Sequence, residues 1–177
     1  LGVVATEIVY TQFRGGQVVL GAVLGAYFIR LYGWKRGAVV AALMAIPLVV
    51  LGGRHSEEAD QSSLERLEAA GAGLKMLLHG PVTGVGYGQY TEHHYLTAHN
   101  AYILAAGELS SIGVLLFASI LYLSIKVPAS ILSSEFDDDE LEGLKPYAMA
   151  TLAAFAGLLV GIFFLSWTYH YVLCIHI

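Results

Sequence analysis

The chain has 177 residues, of which 56% are hydrophobic and 13% are charged, and its mean hydropathy is +0.65. Soluble domains carry about twice this share of charged residues, so the composition excludes an ordinary soluble domain and predicts an all-α membrane protein. The single cysteine, Cys174, excludes both an intrachain disulfide and a cysteine-based zinc site.

The charged residues are concentrated in two parts of the chain. Nine of them lie in residues 53–98, and eight lie between Lys126 and Lys145. Much of the rest is apolar, in stretches near the length that crosses a bilayer. We therefore expect one transmembrane domain over residues 1–177, with about four transmembrane helices. Because the chain starts at Leu1 rather than Met, we also expect it to be the later part of a longer protein.

The first two candidate spans, residues 18–34 and 38–52, are joined by a short link at residues 33–37. This link is rich in basic residues, which prefer the cytoplasmic side of a membrane. The long loop that follows, residues 53–98, is therefore predicted to face outward.

Two further candidate spans, residues 101–127 and 147–167, follow the long loop. The acidic loop between them, residues 128–145, then returns to the cytoplasm. Lys126 and Lys145 flank its acidic run, as the same preference of basic residues requires.

An amphipathic helix is predicted inside the long outer loop. Ser62 opens the pattern Ser-Ser-Leu-Glu, a capping box with Glu65, so a helix should begin near Ser63. Gly80 and Pro81 should end it. Four leucines recur at helical spacing, which is typical of a helix lying on a membrane surface: Leu64, Leu67, Leu74 and Leu78.

A glycine-rich segment, Gly84-Val85-Gly86-Tyr87-Gly88-Gln89-Tyr90, follows this helix. It lacks the Gly-Lys-Ser/Thr of a Walker loop and the third glycine of a Rossmann fingerprint, so we interpret it as a tight backbone turn. The nearby histidines, His93, His94 and His99, lack the i, i+4 pairing of helical zinc sites. We therefore expect no metal site.

Three arginines are candidate anion ligands. Arg14 lies beside two glycines and on the predicted outer face, where its planar guanidinium suits two-point binding of phosphate oxygens; a role as interfacial anchor is the alternative. Arg66 would lie near the positive end of the amphipathic helix, unless it pairs with a neighbouring glutamate, Glu65 or Glu68. Arg54 follows the second span, where anchoring is the better explanation, and is a reserve anion contact.

His99 stands at the head of the third span, where an imidazole that titrates near neutral pH is suited to general-base catalysis. A structural role for an interfacial histidine is the alternative. Glu108 lies inside that span, and a carboxylate in a membrane must be paired or hydrogen-bonded. It either ties the helix to its neighbours or reaches a polar cavity under the site.

The order of these features resembles the O-antigen ligase and O-antigen polymerase family. The resemblance covers roughly residues 11–117. It is carried by Arg14-Gly15, two spans, Arg66 on a loop helix, the segment Gly84-Val85-Gly86-Tyr87-Gly88, and His99-Asn100 at the start of a span.

Members of this family are polytopic glycosyltransferases of the GT-C type that act in polysaccharide and lipopolysaccharide biosynthesis. The resemblance implies transfer of a glycan from a polyprenyl diphosphate carrier to an acceptor hydroxyl of a lipid, glycan or protein. The reaction takes place on the outer, periplasmic face of the cytoplasmic membrane, without metal or other cofactor. The ligases, polymerases and protein-glycosylating enzymes share these motifs, so the acceptor class stays open.

Carried over by motif, Arg14 and Arg66 would hold the carrier diphosphate and His99 would activate or orient the acceptor. We expect substrate contacts from Arg54, Gly84, Gly86, Tyr87, Asn100, Tyr102 and Glu108. Tyr87, Tyr90 and Tyr95 are candidates for stacking on sugar rings, or for an interfacial belt. The alternatives to an enzyme are a component of a lipid-linked glycan transporter and a non-catalytic membrane subunit.

Overall fold

A computed structural model of the protein describes residues 6–7, 14–51, 56–135, 142–166 and 168; of these, residues 14, 41–42, 44–51 and 56–60 are described by their backbone alone. The helices that position the site are α1 (Arg14–Leu51), α2 (Ser56–His79), α3 (Tyr90–His93), α4 (Ala101–Ser133) and α5 (Lys145–Phe164).

Three stretches of the described helices are long and apolar enough to cross a membrane: Gly15–Val40, Ala101–Ser133 and Lys145–Phe164. The chain is therefore an all-α membrane protein, as its composition predicts. The expected second span, residues 38–52, has helical backbone as far as Leu51, and most of its side chains lie outside the described residues.

The chain folds back on itself inside α1. Gly33 has the non-helical angles φ 77° and ψ 166°, and a Cβ on Gly37 would overlap the backbone of Ile29. A continuous helix would separate residues 29 and 37 by about 12 Å, so a reversal at Gly33 brings them together. This is the link that the sequence predicts between the first two spans.

A second break interrupts α4, which contains the third predicted span, residues 101–127. Ser110 has φ 70° and ψ −169°, and a Cβ on Gly113 would overlap the side chain of Leu109. The predicted span is present as a long apolar helix, and the break at Ser110 is a feature that the sequence prediction did not include. Adjacent Gly and Ser residues are frequent places for sharp helix kinks, and Ser110 lies between Leu109 and a second serine, Ser111.

The described chain divides into two compact units, one of Leu1–Gly53 with Leu123–Gly161 and one of Arg54–Tyr122 with Ile162–Ile177. In the first unit α5 packs closely on α1: a Cβ on Gly157 would overlap the Val23 side chain, and one on Gly161 would lie 3.4 Å from that of Val19. Small residues allow such close approach of helices in a membrane.

The amphipathic helix α2 begins at Ser56, well before the predicted start near Ser63. The Ser-Ser-Leu-Glu sequence is therefore helix interior rather than a cap, and the amide of Gln61 donates to Glu65 one turn later, at 3.4 Å. The predicted end is confirmed, because α2 stops at His79, immediately before Gly80 and Pro81.

Two faces of α2 have different environments. One packs into the protein through Ala69, Gly73 and Met76, which are buried. The other carries the predicted leucine stripe, and all four leucines (Leu64, Leu67, Leu74 and Leu78) are between 53% and 71% exposed. The stripe is therefore available to an apolar environment outside the protein.

Candidate functional site

A small cavity in the second unit brings Arg66 and His99 together. Its volume is about 270 Å³. Its walls come from one face of α2, from the segment before α4, and from the end of α5; they comprise Ser63, Arg66, Leu67, Ala70, Ala98, His99, Asn100, Phe163 and Phe164. The cavity thus places a permanent cation opposite an imidazole, with two aromatic rings beside them.

Arg66 reaches this cavity from the interior of α2, not from its first turn, because the helix starts ten residues earlier. The predicted help from the positive end of the helix dipole is therefore wrong, since that effect falls off within the first turn. Glu65 and Glu68, the alternative partners of Arg66, receive hydrogen bonds from Gln61 and Tyr95 respectively. The Arg66 side chain is exposed.

The position of His99 depends on how α4 begins. The side-chain oxygen of Asn100 accepts hydrogen bonds from the backbone N–H groups of Tyr102 at 2.9 Å and Ile103 at 3.1 Å. Asn100 is thus the N-cap of α4. His99, immediately before the cap, has a left-handed backbone with φ 49°, which turns the chain as it enters the helix.

Two further hydrogen bonds tie this entry segment to residues that follow α5. The Thr97 hydroxyl donates to the Ser166 hydroxyl at 3.0 Å, and the Thr168 hydroxyl donates to the backbone carbonyl of Ala101 at 2.6 Å. These contacts hold the segment carrying His99 against the same part of the chain that supplies Phe163 and Phe164.

The glycine-rich loop, residues 80–89, attaches to the break in α4. The N–H groups of Val85 and Gly86 donate to the carbonyls of Gly107 and Glu108, both at 3.0 Å. In an unbroken helix these carbonyls would accept from residues 111 and 112. Here the Ser111 N–H donates to Pro81 instead, at 3.3 Å, so the loop replaces the helical bonds that the break removes.

Glu108 supplies the strongest part of this attachment. It is 3% exposed, and its two carboxylate oxygens accept hydrogen bonds from the backbone N–H groups of Gly88 and Tyr90, each at 3.0 Å. The predicted tie between the third span and its neighbours is therefore present, and it is made to the loop backbone. A substrate contact by Glu108 stays a prediction.

Tyr90 connects the loop to α2. It is 1% exposed and its hydroxyl donates to the backbone carbonyl of Ala69, while Gly73 and Gly107 leave room for its ring. Burial raises the pKa of this hydroxyl, which keeps it a hydrogen-bond donor across the physiological range. The prediction that Tyr90 stacks on a sugar is wrong, because its ring is enclosed by protein.

The remaining predicted site residues have varied environments. Gly84 and Gly86 have positive φ angles of 65° and 104° in the loop, Tyr87 is 68% exposed, and the half-buried Tyr102 ring packs edge-on against Phe117. Tyr95, also proposed for sugar stacking, is 70% exposed.

The side chains of the other two arginines, Arg14 and Arg54, lie outside the described part of the structure. The backbone of Arg14 begins α1, while its side chain and the whole of Arg54 lie outside the described residues. Their roles stay predictions. Among the described residues, no three His, Cys, Asp or Glu side chains are grouped closely enough to hold a metal ion.

Sequence reasoning missed several parts of this site. Phe163 and Phe164 carry no local signal, because an aromatic pair near the end of an apolar span is ordinary. The paired serines, Ser110 and Ser111, were a weak indication of the break in α4. The N-cap role of Asn100 was more strongly indicated, since asparagine before a helical run is a common N-cap.

Comparison with known proteins agrees with the resemblance. The family described as O-antigen ligase matches residues 2–118, which include α1, α2, the glycine-rich loop and the entry of α4. No curated protein and no solved structure matches the chain. Because the match covers more than half of the chain and includes Arg66 and His99, the chain belongs to the O-antigen ligase family.

Proposed function

We propose that this protein is a metal-independent glycosyltransferase that moves a glycan from a polyprenyl diphosphate carrier to an acceptor hydroxyl. The reaction takes place on the outer face of the cytoplasmic membrane. The observation that carries the proposal is the cavity that Arg66 and His99 share. Family membership supports a glycosyl-transferring activity in general.

The reaction creates two needs that these side chains meet. The acceptor oxygen forms a bond to the anomeric carbon while the bond from that carbon to the diphosphate breaks. The diphosphate leaves with the bonding electrons, so negative charge grows on its oxygens, where Arg66 stabilises it. The hydroxyl proton passes to a ring nitrogen of His99, which acts as general base.

The size and the lining of the cavity fit these roles of Arg66 and His99. A volume of about 270 Å³ is near the lower limit for ligand pockets, roughly 300 Å³, so it suits the reacting groups rather than a whole glycan. The rings of Phe163 and Phe164 add apolar surface beside the reacting groups. Arg14 supplies a second cation to the diphosphate in this proposal, and Arg54, Tyr87 and Tyr102 contact the substrates around the reacting centre.

The test is glycan transfer by the full-length protein in membranes supplied with a polyprenyl diphosphate glycan. We expect Arg66→Ala to lower turnover by about a hundredfold or more, because one well-placed charge donor contributes about 3 kcal/mol to the transition state. Arg36→Ala is the matched control, since Arg36 is an exposed arginine beside the reversal in α1. Equal loss in both variants would contradict the assignment of Arg66.

His99 needs a variant that preserves its backbone. Asparagine tolerates the left-handed conformation better than alanine does, so His99→Asn should retain the fold while removing the base. We expect a loss of about a hundredfold in turnover. A variant that folds and transfers glycan at the parent rate would overturn the proposal.

A further inference from the structure

A second and larger groove lies on the other side of α2. Its volume is about 790 Å³, and it shares no lining residue with the cavity of Arg66 and His99. Its polar side chains are Glu68, Lys75, His79, His93 and His94. Arg66 and Lys75 are nine positions apart on one helix, which places them about 180° apart around its axis.

Two of the three imidazole rings in this groove are held by backbone carbonyls. Nδ1 of His79 lies 2.7 Å from the carbonyl oxygen of Lys75, and Nδ1 of His93 lies 3.0 Å from that of Gln89. A carbonyl only accepts, so each Nδ1 must carry a hydrogen and donate it. Nε2 is therefore the nitrogen left for a ligand, as an acceptor in the neutral ring and as a donor once the ring is protonated.

The third ring is also fixed locally. Nδ1 of His94 lies 3.0 Å from the carbonyl oxygen of Leu96 and 3.2 Å from its nitrogen, and the ring packs on Tyr95 with centroids 4.6 Å apart. The groove thus presents three oriented imidazoles rather than three freely rotating ones, which lowers the entropy cost of binding a ligand.

The charge balance of the groove favours anions. Lys75 is a permanent cation, and histidine rings gain positive charge as the pH falls from 8 to 5. The opposing carboxylate is Glu68, which accepts a hydrogen bond from the Tyr95 hydroxyl at 3.4 Å. Glu65, one turn earlier, and Glu92, beside His93, are the nearest other acids in sequence on these elements, and neither lines the groove. Protonation of even one ring therefore makes the lining net positive.

We propose that this groove is a separate binding site for an anionic oxygen group, a carboxylate or a phosphate, carried by a saccharide or by a lipid headgroup. Lys75 supplies the charge, and the Nε2–H groups of protonated His79 and His93 supply directed donors. Gly71 and Ala72 leave space beside Lys75 for the ligand. The site does not depend on transfer activity, because binding involves no residue of the Arg66 and His99 cavity.

The first test measures binding of glucuronate to the full-length protein in nanodiscs of phosphatidylcholine at pH 5.5 and 8.0. The charge of this probe is constant over that range, so a pH effect reports on the protein. We expect at least tenfold tighter binding at pH 5.5, and no comparable binding of uncharged glucose. Lys75→Gln should weaken binding at both pH values, whereas His79→Gln combined with His93→Gln should remove the pH dependence.

The matched control is Lys35→Gln, since Lys35 is an exposed lysine far along the sequence from the groove. Its binding should equal that of the parent. The thermal unfolding midpoint of each variant shows whether it folds. The His99→Asn variant should bind glucuronate normally, which separates a failure of this proposal from a failure of the proposed transfer reaction.

The second test identifies the source of the anionic group. Spin-labelled phosphatidylglycerol is added to the same nanodiscs, and its immobilised fraction is compared between the parent and Lys75→Gln. Immobilisation that requires Lys75, without glucuronate binding, assigns the groove to a lipid headgroup; glucuronate binding assigns it to an acidic saccharide. The proposal is overturned if neither probe binds in a way that depends on Lys75 and the histidines.

Discussion

At the scale of single residues, Glu108 shows how a carboxylate in a membrane helix is stabilised by the backbone of a loop. Its two oxygens accept from Gly88 and Tyr90, and hydrogen bonds to a charged group contribute about 1.5–3 kcal/mol each. The same loop supplies N–H groups to two carbonyls that the break in α4 exposes. The glycine-rich loop therefore supplies the hydrogen bonds that the buried carboxylate needs and those that the interrupted helix has lost.

We expect Glu108→Gln to destabilise the fold rather than to impair substrate binding alone. Glutamine has nearly the same shape, but its NH₂ group would face one of the two N–H donors, leaving that donor unsatisfied at a cost of about 1–3 kcal/mol. The thermal unfolding midpoint in detergent measures this change. Glu92→Gln, at an exposed carboxylate on α3, is the control and should have little effect. If Glu108→Gln raised only the KM for the glycan donor, Glu108 would be a substrate ligand instead.

Ser110 is the other residue whose conformation matters at this scale. Its φ of 70° with ψ of −169° is rare for a residue other than glycine and costs about 1–3 kcal/mol. Its hydroxyl donates to the carbonyl of Val82 at 2.6 Å, and the Ile112 N–H donates to that hydroxyl oxygen at 3.3 Å. These bonds offset the strain, because the first joins the break to the loop and the second satisfies an N–H group of α4 just after the break.

At the scale of elements, the glycine-rich loop is shaped by the approach of its backbone to α4. Gly84, Gly86 and Gly88 all have positive φ angles, but only Gly84 is also in close contact with α4, where a Cβ would overlap the carbonyl of Glu108. At Gly88 a Cβ would meet nothing within 4 Å. The two positions therefore separate conformational strain from steric overlap.

Comparison of Gly84→Ala with Gly88→Ala tests this account of the loop. Gly88→Ala should cost only the left-handed conformation, about 1 kcal/mol. Gly84→Ala should cost clearly more, because the loop must also move away from α4 and lose its hydrogen bonds to Gly107 and Glu108. Thermal unfolding of both proteins measures the difference. Equal destabilisation would show that the close approach at Gly84 does not support the loop.

The exposed leucines of α2 lead to a prediction about the surroundings of that helix. Because the chain is a membrane protein and the stripe does not pack into the protein, we expect the leucines to contact lipid. Spin labels at Leu74→Cys and Leu78→Cys, in a Cys174→Ser background, should be more accessible to oxygen than to a water-soluble nickel reagent.

Lys75→Cys is the matched position for this experiment, because it neighbours Leu74 and lines the groove on another part of the helix surface. Its label should show the opposite preference, for the water-soluble reagent. Similar accessibility at all three positions would mean that α2 lies away from the bilayer.

At the scale of the whole molecule, the candidate cavity is built from segments that are distant in the sequence. The family match ends at residue 118, but Phe163 and Phe164 line the cavity from the end of α5, and Thr168 bonds to the first residue of α4. A fragment limited to the matched residues would therefore lack one wall of the site.

Much of the fold could be predicted from the sequence. Apolar stretches of spanning length identify a helical membrane protein because lipid offers backbone groups no hydrogen-bond partners. Gly80 and Pro81 marked the end of α2 correctly, since neither residue favours continuation of a helix. The start of α2 was misplaced, because the Ser-Ser-Leu-Glu pattern also occurs inside a helix that begins further upstream.

The sequence by itself determined the membrane class and the reversal near Gly33, because these depend on local composition. Arg66 and His99 were named through the resemblance to the family, and their roles stay predictions. Only the tertiary structure decided that Arg66 and His99 share a cavity, that Glu108 and the break at Ser110 hold the glycine-rich loop, and that Tyr90 is buried. The hydrogen bonds of Glu108, Ser110 and Tyr90 join residues 18 to 28 positions apart, and one partner in each is a backbone group common to every residue. Such partners leave no pattern in a single sequence.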